Sequence, residues 1–195
     1  MPRALPQSPI ALLAAAVAVA LPVAGCGNER TPVPEVAAPE PPRGQRAVDL
    51  PQDGIAYRAP GNWRDVPRAD PLVGGVRSRS ATLAIWRYPR TQPLPDTTPK
   101  LRRVRDLLIE RVRARDPSFE LARSRLTRRG GARAIELTGT QSVAGRRVQV
   151  RSAHVFGEGA EVVLDAYAPP GAFAEVDRTV FEPLLSSFEL RTPGT

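Results

Sequence analysis

The chain has 195 residues and carries 28 Lys and Arg against 20 Asp and Glu, a formal charge of +8. Its one cysteine and one histidine exclude an intramolecular disulfide, a Cys-rich zinc site and any multi-histidine metal centre. Every basic residue except Lys100 is arginine, a lopsided usage that fits a GC-rich coding bias as readily as a need for guanidinium chemistry.

In chain order, Arg3 and the start amine come first, then an apolar run from Ile10 to Ala20 bracketed by Pro9 and Pro22. The run has the length of a signal h-region, ~7–15 residues, and is short of the ~20 needed to span a bilayer. Slim residues follow, and then the only cysteine. Val23-Ala24-Gly25-Cys26 resembles the lipobox of bacterial lipoproteins. That resemblance implies a signal peptide over 1–25 and a mature chain that starts at Cys26. It also implies diacylglycerol on the Cys26 sulfur, acyl chains such as palmitate, and a membrane-anchored life outside the cytoplasm. Two acyl chains anchor stably where one is marginal. Removal of Arg3 with the leader leaves 27 basic residues against 20 acidic ones. Nucleic acid, the natural partner of such charge in the cytoplasm, is not expected outside it, and no aromatic-interleaved strip for base stacking is present.

Residues 26–46 hold Pro32, Pro34, Pro39, Pro41 and Pro42 and no aromatic side chain. Proline fixes φ and removes a donor, and the few apolar groups do not offset the chain entropy. The stretch reads as an extended tether, reaching ~60 Å if it is polyproline-like at ~3.1 Å per residue. Residues 47–195 are the size of one domain with a real core.

Within the domain, Gly54–Pro60 alternates apolar and polar residues and stops at Pro60-Gly61-Asn62 before Trp63, as a strand and turn do. Leu72–Arg79 and Ala81–Tyr88 read as two more strands joined near Ser80. A proline-rich loop follows. Thr98–Asp116 is the clearest helix, with Thr98 as its N-cap, Pro99 in its first turn and Pro117 as its stop. Leu101, Val104, Leu107, Leu108 and Val112 fall on one face at helical spacing. Four alternating segments come next, Phe119–Leu126, Ala132–Val143, Arg146–Phe156 and Glu161–Tyr167, separated by glycine-bearing turns, as in an antiparallel meander. Phe173, Val176, Val180, Phe181, Leu184 and Leu185 mark a second amphipathic helix that Pro183 is expected to kink or split.

This order predicts an α+β sandwich, an antiparallel sheet of about six to seven strands covered by two helices. The Tyr57–Trp63 segment, the helix after a proline-rich loop, the meander and the closing Leu184-Leu185-Ser186-Ser187-Phe188 resemble the PsbP-like fold. That group includes photosystem PsbP, the yeast Ran-binding Mog protein and the LpqN-type lipoproteins of actinobacteria. The resemblance covers nearly all of 47–195 and implies a binding or accessory role. It carries over no catalytic or ligand residue.

Candidate chemistry is sparse. His154 lies in an alternating strand without metal-ligand spacing around it, and a structural role is the expectation. Ser186 and Ser187 lack a nucleophile elbow. Gly74-Gly75 and Gly130-Gly131 do not lead from strand into helix as phosphate loops do. Glu161 and Asp165 share a strand face, but spacing alone does not identify a glycosidase pair. No enzyme, metal or cofactor is expected. The basic side of the first helix, with Arg102, Arg105 and Arg113, is the candidate face for an anionic partner such as an envelope polymer, a lipid headgroup or an envelope protein. The reading is a membrane-tethered, non-catalytic binding or accessory module of the cell envelope. The alternative is a small-ligand carrier or enzyme with a pocket between sheet and helices, lined by residues such as Trp86, Tyr88 and Tyr167.

Overall fold

A computed structural model of the chain describes residues 36–194; the leader, Cys26 and the tether as far as residue 35 lie outside them. Strands β1 (Gln45–Leu50) and β2 (Ile55–Pro60) form a hairpin, followed by the short β3 (Arg64–Asp65), β4 (Leu72–Ser78) and β5 (Ala81–Pro89). Helix α1 (Thr98–Arg115) crosses over to the meander β6 (Glu120–Arg129), β7 (Ala132–Val143), β8 (Arg146–Gly157) and β9 (Ala160–Ala168). The chain closes with α2 (Pro170–Val176), a π-turn (Asp177–Phe181), α3 (Glu182–Ser187) and β10 (Glu189–Leu190).

Seven strands make one antiparallel sheet in the order β3-β4-β5-β9-β8-β7-β6, so β9 returns to pair with β5 and closes the core. A second sheet, β1-β2-β10, joins α2 and α3 over one face of it. The expected α+β sandwich is therefore present, with the four meander strands where alternation placed them. The small sheet was not foreseen. β10 is two residues long, and β1 starts inside the segment read as tether.

That segment is partly bound to the domain. The Ser80 backbone N–H donates to the Ala37 carbonyl at 3.1 Å, Trp63 Nε1 to the Glu40 carbonyl at 3.2 Å and Asn62 Nδ2 to the Pro41 carbonyl at 3.0 Å. Prolines lack the donor but keep the acceptor, so an extended stretch with no apolar pattern is held by its carbonyls. Hydrophobic periodicity does not report such a segment.

The break in the second helix also has a local cause. Pro183 stands in the first turn of α3 and has no N–H to bond four residues back. The backbone widens into a π-turn just before it, and Val180 and Phe181 stay buried within that turn. In α1 the cap is Thr97, whose hydroxyl accepts from Lys100 N at 3.4 Å, one residue earlier than expected. Leu107 is 45% exposed, while Ile109 packs with Leu101 and Leu108 against Ile135. At ~100° per residue, Ile109 lies ~80° from Leu101, but Leu107 lies ~240° away, on the solvent side.

Candidate functional site: a cleft between the first helix and the sheet

Alternation along the central strands sends every second side chain toward α1. On β8 these are Val150, Ser152, His154 and Phe156, and on β9 they are Glu161, Val163, Asp165 and Tyr167. The register sets Ser152 opposite Asp165, His154 opposite Val163 and Phe156 opposite Glu161. Trp86 of β5 flanks Val163 on the other side, and Tyr88 flanks Glu161. Helix α1 covers the β6–β7 part of this face through Leu101, Val104 and Leu108. A cleft of about 390 Å³ remains between its C-terminal half and β5, β9 and β8. The volume is at the small end of the ~300–1,000 Å³ range of ligand pockets.

The floor of the cleft is a continuous polar row. Arg90 pairs with Glu161, and the other Glu161 oxygen lies 2.8 Å from His154 Nδ1. His154 Nε2 is 3.2 Å from Ser152 Oγ, and the Ser152 hydroxyl donates to Asp165. With both ring protons in place, Nδ1–H donates to Glu161, Nε2–H to Ser152 and Ser152 O–H to Asp165, so each donor meets an acceptor. Burial works to raise the Glu161 carboxyl, but His154 and then Arg90 outweigh it and hold the group at about 2. A carboxyl depressed in the folded state stabilises above its ordinary value, near 4.5, and loses that contribution as pH falls toward 2. Glu161→Gln removes this term. The urea midpoint of the variant is expected to fall less between pH 5 and pH 2.5 than that of the parent, and equal slopes would contradict the assignment.

The walls are mainly apolar. Trp86 is 3% exposed and packs with Ala84 and Val163, while Phe119 and the half-buried Val112 close the helix side over Val150 of β8. Arg90 stacks over Tyr88 with its guanidinium carbon 5.9 Å from the ring centre. Arg111 and Arg115, four residues apart, stand on the flank of α1 that borders the cleft.

The basic residues singled out in the sequence lie elsewhere. Arg102 and Arg113, eleven positions apart, share the opposite flank of α1 and are exposed; Arg105 is half-buried and bonds Asp106 at 2.9 and 2.7 Å. Arg125 and Arg129 are drawn to Glu136 on the other face of the sheet, and Arg147 binds Glu120 at 2.8 Å. Of the three aromatics named for a pocket, Trp86 and Tyr88 line the cleft. Tyr167 does not, being fully buried, its hydroxyl bonded to Thr82 and its ionisation pushed upward by burial.

His154 was legible alone and Glu161 and Asp165 as two acids sharing a face, but Ser152 was not, and nothing joined the four. Folding the β8–β9 hairpin about Gly157–Gly159 brings them together, because residues equidistant from that turn face one another. Arg90 carried no signal in the sequence, and Arg111 and Arg115 stood there only as part of the basic side of α1.

Among the described residues no three His, Cys, Asp or Glu side chains converge as metal ligands. A second, more open groove of about 600 Å³ runs between Pro42–Gln45, Arg58 and α3. Its Ser187 hydroxyl is spent on the Leu184 carbonyl and on Arg58 N, and Glu189 on Arg191. Of these two, the cleft under α1 has the converging side-chain chemistry.

No protein-family model matches the sequence, and no curated protein does. Solved structures share its fold. The chain is similar to cyanobacterial PsbP (CyanoP) from Synechocystis at 16% identity and TM-score 0.58, over 75% of this chain and 92% of that one. A Bacteroides thetaiotaomicron structure matches at 12% identity and TM-score 0.53, over 77% of this chain and 50% of that one. LpqN, described as involved in cell envelope biogenesis of Mycobacterium tuberculosis, matches at 18% identity and TM-score 0.50, over 76% and 91%. The architecture is thus of the PsbP-like kind.

Proposed function

We propose that the chain is a lipid-tethered, extracytoplasmic binding protein of the cell envelope that holds a small ligand in the α1 cleft and does no chemistry on it. The cleft carries this reading. A module acting only through its outer surface has no need of an enclosed row of charged and hydroxyl groups between apolar walls. The lipobox-like Val23–Cys26 supports the location, and the envelope role stated for LpqN is compatible with it. The ten residues from Gly27 to Val36 span at most ~35 Å fully extended, which keeps the domain close to the membrane.

The order Ser152, His154, Glu161 matches that of a nucleophile, a base and an orienting acid, yet it lacks what acyl transfer needs. The Ser152 hydroxyl is engaged by Asp165. β8 is an inner strand whose backbone groups are paired with β7 and β9, which leaves no N–H pair for an oxyanion beside Ser152. The row is suited to holding polar groups.

The test is extraction of the full-length chain from its native membranes in mild detergent, followed by native mass spectrometry. The parent is expected to carry a small-molecule adduct that Val163→Trp, which fills the cleft, does not. Cys26→Ala is expected to move the protein to the soluble fraction. An adduct-free parent that instead co-purifies with one envelope protein, sensitive to Arg102→Glu and Arg113→Glu, would overturn the ligand reading in favour of a docking module.

A further inference from the structure

The charges around the cleft define the chemistry of what it takes. With both ring protons on His154, six charged side chains line it: Arg90, His154, Arg111 and Arg115 against Glu161 and Asp165. On the floor Arg90 and His154 balance Glu161 and Asp165. The two exposed guanidiniums on the helix flank remain. Among the described residues neither Arg111 nor Arg115 makes an ion pair, whereas Arg125, Arg129, Arg147 and Arg151 all do.

Like charges four apart on a helix repel, by a few tenths of a kcal/mol. An anion held between them reverses that sign, because guanidiniums bind carboxylate and phosphate through paired N–H groups. The helix C-terminus, whose dipole favours cations, already has Arg113 on the far flank and accounts for Arg115 only in part. Arg111 lies a full turn further in, so the dipole does not account for it.

The floor asks for the opposite polarity. Asp165 uses one oxygen on Ser152 and keeps the other, and the Ser152 oxygen has a second lone pair. Both accept. Between floor and rim, Leu108, Val112, Val163 and Trp86 offer apolar contact to a compact body.

We infer that the cleft binds a small organic oxyanion that also bears hydroxyl or amino groups. Its carboxylate or phosphate sits on Arg111 and Arg115, and its hydrogen-bond donors on Asp165 and Ser152. The inference rests on the ligand-binding reading above and narrows it. A neutral sugar leaves the two guanidiniums unused, and a simple fatty anion leaves the floor acceptors unpaired, so both bind less well.

The test uses the full chain in detergent and isothermal titration with four probes: glucuronate, glucose 6-phosphate, glucose and hexanoate. At least one of the first two is expected to bind about tenfold or more tightly than glucose and hexanoate, as charge-assisted hydrogen bonds imply. Which of the two wins separates a carboxylate from a phosphate ligand. Arg111→Ala with Arg115→Ala is expected to lose that advantage, while Arg102→Ala with Arg113→Ala keeps it. Asp165→Asn is expected to weaken glucuronate and glucose 6-phosphate more than hexanoate. Equal affinity for glucose and the two sugar anions, no effect of the Arg111 and Arg115 pair, or no binding of either sugar anion at millimolar concentration would overturn the oxyanion assignment. The adduct comparison with Val163→Trp is read independently, so the cleft reading stands or falls on its own.

Discussion

Glu136→Ala is expected to destabilise the domain by about 3–5 kcal/mol, the range for removing one partner from a buried charge network. Glu136 lies on β7, 2% exposed, on the face of the sheet turned away from the cleft. Arg125 Nε and Arg129 Nε reach its two oxygens at 3.0 and 2.7 Å, and Arg151 comes within 3.0 Å. Arg151, itself 5% exposed, also binds Asp177 at 3.0 Å and Glu182 at 2.5 Å. The network therefore ties three sheet strands to the π-turn and α3.

Without Glu136, Arg151 keeps Asp177 and Glu182 and Arg129 keeps Glu182, but Arg125 loses its carboxylate and three guanidiniums crowd a site left with one acid fewer. Burial pushes the Glu136 carboxyl up, and the hydrogen bonds of Arg125 and Arg129 with the charge of Arg151 pull it down further, for a net lowering. Glu182 is held at about 2, where burial is outweighed by Arg129, Ser186 and Arg151. Stability from both groups is present above pH 4.5 and is lost in acid, for Glu182 as the pH falls toward about 2. The measurement is thermal unfolding of parent, Glu136→Ala and Glu136→Gln at pH 7. Glu136→Ala is expected to lower Tm by roughly 10 °C, at about 2–4 °C per kcal/mol for a chain of this size. Glu136→Gln, which keeps an acceptor, should fall between. A change below about 1 kcal/mol would mean that the three arginines re-pair without cost.

Periodicity made the meander, α1 and the amphipathic tail readable, because each buries one face and its sequence must show that. Glu136 and Arg151 broke the apolar side of β7 and β8 without revealing that they answer each other. Their partners Asp177 and Glu182 sit in a helix whose register is shifted by the π-turn, so fixed spacing does not align them. The cleft was hidden for a related reason. His154 and Glu161 are seven residues apart in sequence and read as unrelated until the hairpin register sets them side by side. Arg111 and Arg115 were counted with the whole basic side of α1. Only the packing of Leu101, Leu108 and Ile109 shows that this side has two flanks, with the cleft beside one of them.

Phe181→Ala is the second change with a large expected effect, about 3–5 kcal/mol. Phe181 is fully buried at the end of the π-turn, edge-on to Trp63 with ring centres 6.4 Å apart and tilted against Phe173 at 6.0 Å. Those two rings come from separate elements, the β2–β3 connection and α2, and both are buried, so the site has little freedom to collapse. The cavity term therefore adds to the lost transfer energy. Phe181→Leu keeps most of the apolar volume and should cost less. The loss is read from the urea midpoint at constant m-value. None of the three rings touches the cleft, since the sheet itself stands between. A folded Phe181→Ala chain is thus expected to retain parental affinity for whichever sugar anion binds, measured well below its unfolding transition. Loss of binding in a variant that is still folded would show that the two faces are energetically coupled, and the helix pair behind the sheet would then be part of how the cleft holds its shape.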